Sequence, residues 1–178
     1  MQQLKQRLAQ GEQAAFVELY QHMGDRLYRF VLSRTGSDDL TTDVIQETFV
    51  RLIRYHRRFR KVDNIDAWVI RVARNEMIRM LEKQPHDLPL DQPVVAPADR
   101  DQLEDREWIA NLLDGIEWPN DEIIQLKVFA GLTFREIAEF VGLSPSTVAT
   151  NYRRTMHRLS LKLDTPDKNK SPTSRTQK

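Results

Sequence analysis

At 178 residues, with 30% charged and 40% hydrophobic residues, the chain has room for one ordinary domain or two small helical ones, and its lack of cysteine excludes disulfide and thiolate chemistry and points to a reducing cytoplasm. No apolar run approaches the ~20 residues that span a bilayer, and the opening MQQLKQRLAQGEQ has no apolar signal core, so neither a membrane partner nor secretion is expected. The formal net charge of +1 conceals blocks: six Lys/Arg and no acid between Arg51 and Lys61, then nine acids against three bases from Lys83 to Glu117, a segregation that suggests separate surfaces for separate partners.

A short leading helix is followed by Phe16, Leu19, Tyr20, Met23, Leu27, Phe30 and Val31 at three- and four-residue steps, one face of a helix ending near Gly36. Ser37 and Asp38 offer caps for the next helix, whose buried stripe is expected to be Ile45, Phe49, Leu52 and Ile53. A third helix is expected from Asp66, as N-cap, to about Glu82. Val69, Val72, Ala73 and Met80 would face inward, and Arg71, Arg74, Asn75 and Arg79 would form an outer ridge. These helices make a first domain over residues 1–84.

Residues 85–102 read as a flexible, acidic linker. Prolines at 85, 89, 93 and 97 forbid regular helix, and Asp87, Asp91, Asp99 and Asp101 extend the segment by repulsion. Helical periodicity resumes near Leu103 and runs to Leu163, with breaks at Trp118-Pro119, Gly131 and Gly142, giving a second domain over 103–164. From Thr165 to Lys178 no aliphatic or aromatic residue appears, and a disordered basic tail is expected. The fold class is all-α, two small helical domains joined by a linker.

The sharpest local pattern lies between Thr133 and Leu163. Thr133 and Glu136 have capping-box spacing. Ile137, Ala138 and Val141 make an inner face, with Ala138 small enough to let a second helix cross closely. Gly142 suits a left-handed helix end. Ser144 caps the next helix and Pro145 takes its first position. Val148, Tyr152, Leu159 and Leu163 would hold that helix to the domain. Its outer side then carries Ser146, Thr147, Thr150, Asn151, Arg153, Arg154, His157 and Arg158. Short hydroxyls at the N-terminal end and arginines beyond are what a helix-turn-helix uses to read a major groove.

Enzymatic chemistry finds no support. His22, His56, His86 and His157 are scattered, and there is no Gly-rich phosphate loop and no Cys/His cluster. No catalytic residue, metal, cofactor or small-molecule substrate is expected.

The run DVIQETFVRLIRYHRRF, followed by DAWVIRVARNEMIRML, closely resembles region 2 of the sigma-70 family, especially its extracytoplasmic-function branch; Asp43, Gln46, Glu47, Phe49, Trp68, Ala73, Arg74 and Asn75 carry the match. EIAEFVGLSPSTVATNYRRTMHRL is similar to region 4 of the same family. The resemblance implies a transcription initiation factor whose partners are core RNA polymerase and promoter DNA. Asp43, Gln46 and Glu47 would contact the clamp helices of the polymerase β′ subunit, and the β subunit is a further expected partner. Arg54, Arg57, Arg58, Arg60, Lys61, Asn64, Trp68, Arg71, Arg74, Asn75 and Arg79 would engage the −10 element. Asn64, in the loop Val62–Ile65, is the candidate for holding a flipped base, and Trp68 is either a stacking platform or a core anchor. Ser144, Ser146, Thr147, Thr150, Asn151, Arg153, Arg154 and Arg158 would read the −35 element. Ala149, Thr150 and Asn151 stand where the family commonly has a basic residue after the valine, so a different base preference is implied.

Linkers similar to 85–102 run through the polymerase interior, where acids mimic nucleic acid, and an anti-sigma factor is a common partner of the family. The alternative is a stand-alone helix-turn-helix regulator that binds operators as a dimer. Recognition-helix residues do not convert uniquely to bases, so the promoter, the regulon and the inducing signal are not encoded legibly.

Overall fold

The computed structural model describes residues 2–83, 113 and 115–164. The acidic linker and its four aspartates, the start of the second helical stretch at Leu103, and the tail 165–178 lie outside the described residues. Among the described residues all regular structure is helical, in two packed groups.

The first group begins with α1 (Gln2–Gln10), whose Leu4, Leu8 and Ala9 are buried against a 3-10 turn at His56–Lys61. Helix α2 (Gln13–Thr35) follows after a turn at Gly11. Arg7 pairs with Glu12 at 2.8 Å and Glu18 at 2.7 Å across this corner. The Arg7 guanidinium holds the Glu12 carboxyl below its usual range, and the two acids in turn raise Arg7. The stripe of α2 is as expected except for Tyr20, which is 54% exposed at the stripe's edge with its ring 5.2 Å from Phe49. Gly36 ends the helix at φ 62°, and its N–H donates to the Leu32 carbonyl.

Helix α3 (Asp38–Arg54) starts on Ser37, whose hydroxyl accepts the Leu40 N–H. Its core face is Thr41, Val44, Ile45, Thr48 and Leu52. Ile53, expected inside, is 52% exposed, and Phe49 is half-buried. Ile53 lies about 100° around the helix from Leu52, and two threonines occupy the inner positions instead. Thr48 satisfies its hydroxyl on the Val44 carbonyl at 2.7 Å, and Thr41 shares a hydrogen bond with Thr35.

Helix α4 (Ile65–Lys83) begins one residue before the expected cap. Asn64 is the cap: its Oδ1 accepts the Ala67 N–H at 3.1 Å. Asp66 instead sits in the first turn and takes Arg26 Nη1 at 2.9 Å. Ile65 is buried, so the helix must start early enough to turn it inward.

The second group contains α5 (Asn120–Ile124), which widens into a π-turn at Gln125–Phe129, then α6 (Phe134–Val141) and α7 (Pro145–Asp164). The capping box forms in full: Thr133 N–H donates to Glu136 Oε2 at 2.7 Å and Glu136 N–H to Thr133 Oγ1 at 3.3 Å. Gly142 ends α6 at φ 70°. The Ser144 hydroxyl accepts the Thr147 N–H at 3.1 Å. Ile137, Ala138, Val141, Val148 and Leu159 are buried, together with Thr155. Leu163 is 51% exposed, because α7 runs one turn past the core that holds Leu159.

The two groups share one hydrophobic cluster, from Leu27 and Phe30 through Ala73 and Met77 to Ile123, Leu126 and Leu132. Polar bonds frame it. Arg26 Nε donates to the Ala130 carbonyl at 2.6 Å, and the Ser33 hydroxyl donates to Gln125 Oε1 at 2.5 Å.

Candidate nucleic-acid interface

Phe59 in the 3-10 turn is fully buried and meets Trp68 edge-on, ring centroids 4.7 Å apart. That contact orients the start of α4 against the basic turn and leaves a groove of about 680 Å³ beside it. Arg57, Arg58, Lys61, Asn64, Trp68 and Arg71 line the groove with Val62, Asp63 and Ala67. Six of the expected −10 residues therefore converge on one depression, four of them cationic, which Asp63 of the loop and Glu136 and Glu139 of α6 also line. Trp68 is half-buried: it packs on Phe59 and also lines the groove.

Other expected −10 residues lie elsewhere. Arg60 is exposed on the opposite side of the turn, beside Gln6 and Gln10 of α1. Arg54 is exposed at the end of α3. Asn75 lines a second, smaller cleft with Arg51, Tyr55 and Arg58. Arg79 and Arg74 do not form a free outer ridge. Arg79 Nη2 binds the buried Glu76 at 2.8 Å, where Arg51 Nε also arrives at 2.6 Å. Arg74 turns toward the second group and binds Glu122 through Nε at 2.8 Å and Nη2 at 3.2 Å. A helix face with an arginine every few residues is a solvated ridge only while nothing acidic packs over it, and Glu122 does.

Asp43 and Gln46 are exposed on α3. Glu47, next on the same face, is half-buried, with its Oε1 3.4 Å from Arg51 Nε and 3.6 Å from Arg79 Nη2. The outer face of α7 presents Ser146, Thr147, Thr150, Arg153, Arg154 and Arg158 as exposed residues, with Asn151 half-buried and Ser144 at the cap. Ser144 also exchanges hydrogen bonds with Ser146 and Thr147 at 2.8 Å.

Sequence reasoning did not single out Glu122, Gln125, Glu139 or Phe140. Glu122 gave little signal: it follows Asn120 and Asp121 ahead of the apolar residues of NDEIIQL, in the first turn of a helix, where acids are ordinary.

The sigma-70 region 2 family model matches residues 19–85, and the sigma-70 region 4 model matches residues 106–159. The ECF RNA polymerase sigma factor BldN of Streptomyces coelicolor is 29% identical over 172 residues, covering 89% of this chain and 65% of BldN. The chain thus spans about two thirds of that relative. The ECF RNA polymerase sigma factor SigM of Bacillus subtilis is 24% identical, covering 80% of this chain and 91% of SigM. RNA polymerase sigma factor CarQ of Myxococcus xanthus is also 24% identical, covering 86% and 92% respectively. The solved structure of CnrH in complex with the cytosolic domain of CnrY shares the fold, with a TM-score of 0.70 over 92% of this chain and 97% of that chain at 24% identity. With one region model on each helical group, in this order and together over more than half of the chain, the protein belongs to the extracytoplasmic-function (ECF) branch of the sigma-70 family, promoter-directing transcription initiation factors.

Proposed function

We propose that this protein binds core RNA polymerase in the cytoplasm and performs promoter recognition and opening with the residues named above. Residues 1–84 would engage polymerase and the −10 element, residues 85–102 would connect, residues 103–164 would read the −35 element, and residues 165–178 would form a basic tail. Asp43, Gln46 and Glu47 dock on the β′ clamp helices, and the second domain lies against the β subunit. Arg57, Arg58, Lys61 and Arg71 attract the backbone of the −10 strand, Asn64 hydrogen-bonds an extruded base, and Trp68 supplies a ring for it to stack against. Arg54, Arg60, Arg74 and Arg79 contribute to the same field from its margins, and Asn75 adds an amide there. The α7 face enters the major groove upstream. The chain performs no bond chemistry in this scheme; synthesis stays with polymerase.

The observation that carries this reading is the convergence of four cations, an amide and an aromatic ring of the region 2 domain on one groove, which Glu136 and Glu139 of α6 also line. An inhibitory protein partner of the anti-sigma kind is part of the proposal, supported by the solved complex of CnrH with the cytosolic domain of CnrY. Reconstituted transcription with core polymerase tests the reading: specific transcripts are expected only when chain and core are combined. Tight, sequence-specific operator binding by the chain alone, without promoter-dependent transcripts, would overturn it in favour of a stand-alone regulator.

A further inference from the structure

Helix α1 has no part in the reading above, and it precedes residues 19–85, which match region 2. Burial of Leu4, Leu8 and Ala9 against the basic turn leaves Gln2, Gln6 and Gln10 exposed in one row at four-residue steps, with Lys5 half-buried beside them. The helix is pinned in that pose. His56 Nδ1 donates at 3.1 Å to the carbonyl of Ala9, in the last turn, where carbonyls lack a partner within the helix. The chain then turns at Gly11 with φ 79°. A Cβ at Gly11 would stand 3.3 Å from the imidazole, so the close approach of α1 to the turn needs glycine there.

Two shallow clefts run along the glutamine row. One, of about 460 Å³, lies between Gln2 and Lys5 of α1 and residues 63–66. The other, of about 450 Å³, joins Lys5, Gln6 and Gln10 to Arg60. The first shares Asp63 and Asn64 with the groove of the −10 residues, and the second shares Gln2 and Lys5 with the first. Together they make one track, which leaves the groove at Asn64 and ends at Arg60. Its polar groups are unclaimed. Among the described residues neither Lys5 nor Arg60 pairs with an acid within 4.0 Å, and the side-chain amides of Gln2, Gln6 and Gln10 make no hydrogen bond. Arg51, Arg74 and Arg79, by contrast, are held by acids. Asp66 is paired with Arg26 at 2.9 Å. The acid left on the rim is Asp63, where a base edge passes more readily than a phosphate.

We propose that α1 and Arg60 form a second single-strand subsite, which holds the nucleotides next to the −10 element on its start-site side. This rests on the −10 assignment of the groove made above. Upstream of the −10 element the DNA is duplex again, so the unpaired strand is available on the start-site side. A strand seated at Asn64 continues onto Lys5 and Arg60, whose charges take its phosphates. The glutamine row meets the bases, because an amide both donates and accepts and so can pair with an exposed base edge. Continuity with the groove selects this strand over an acidic protein segment as the occupant.

The test uses the full chain with core polymerase and fluorescent single strands from a promoter that this pair transcribes. One strand carries the −10 element alone. A second extends it by about six nucleotides toward the start site, and a third extends it equally upstream. Wild type is compared with Lys5→Ala/Gln6→Ala/Gln10→Ala, whose alanines favour the helix, and with Lys5→Arg. The triple variant is expected to bind the start-site extension at least about fivefold more weakly than wild type, and the other two strands equally well. Its slope of log affinity against log salt on that extension should be shallower by about 0.7, the share of one single-strand phosphate. Lys5→Arg should keep both the affinity and the slope. A photocrosslinker at position 6 should label the added nucleotides.

Equal binding of the start-site extension by the triple variant and the wild type overturns the proposal. So does the same loss on all three strands, or a crosslink to polymerase in place of DNA. If the wild-type complex does not hold even the −10 strand, the functional reading falls and the subsite with it. If it holds that strand and α1 adds nothing, only the subsite falls.

Discussion

Trp68 stands edge-on to Phe59, with ring planes at 77° and centroids 4.7 Å apart, so a fully buried side chain of the basic turn positions the aromatic wall of the candidate −10 groove. Phe59 also meets Phe16 edge-on at 6.1 Å, which ties the turn to α2. Phe59→Ala is expected to cost about 3–5 kcal/mol of stability, the usual range for a buried phenylalanine, seen as a lower urea midpoint. Trp68→Ala should cost less, because the ring is half-buried, and should slow promoter opening in the presence of core polymerase. Normal opening by Trp68→Ala would remove the ring from the −10 site.

Glu76 is buried between Arg51 and Arg79, the former at 2.6 Å and the latter at 2.8 Å. Removing the carboxylate leaves Arg51 and Arg79 with Glu47 as their nearest acid, at 3.4 and 3.6 Å. Because both arginines keep that partner and part of their solvent, Glu76→Ala should destabilise the chain by about 1–3 kcal/mol. A double substitution of Arg51 and Arg79 in the Glu76→Ala background should recover part of that stability, measured by chemical denaturation. No recovery would mean that the cost is packing rather than charge.

Asp43 and Gln46 are exposed on α3, so truncating them should leave stability within about 0.5 kcal/mol of the wild type. Asp43→Ala/Gln46→Ala is expected to weaken capture of core polymerase about tenfold or more, roughly 1.4 kcal/mol, in a competition binding assay. Full polymerase affinity with an unchanged melting temperature would show that the α3 ridge is not the docking surface.

On α7, Arg153→Ala and Arg154→Ala should each weaken −35 duplex binding. Each should also make the slope of log affinity against log salt shallower by about 0.9 for every phosphate that the arginine neutralises. Thr150→Ala or Asn151→Ala should instead change which −35 sequences are selected from a randomised pool, with base discrimination altered by about 1–3 kcal/mol. An unaltered selected sequence in both would move base reading to other residues of the helix.

Local chemistry determined much of this protein from sequence alone. Caps, helix ends and the helix-turn-helix depend on neighbours within one turn, so Ser37, Gly36, Thr133 with Glu136, Gly142 and Ser144 are legible in the chain itself. The apolar stripe of α2 is legible too, apart from Tyr20, because a strongly periodic helix has only one face to bury. The α3 stripe is not, because buried threonines satisfy their own hydroxyls and so pass for polar residues in a hydrophobicity pattern. The Asn64 cap is hidden because an aspartate two residues later carries the same signal.

Only the tertiary structure decided which charges are free. Arg74, Arg79, Arg51 and Glu47 look like solvated surface at helical spacing, yet all are engaged by oppositely charged side chains that folding brings to them. A basic block at Arg51–Lys61 is plain in the chain, but its division between a groove at Arg57, Arg58 and Lys61 and an opposite face at Arg60 is not. Charge in a sequence reports ionisation, while availability depends on what packs within about 4 Å. Those partners come from as far as 88 residues away, in the pairing of Arg34 with Glu122.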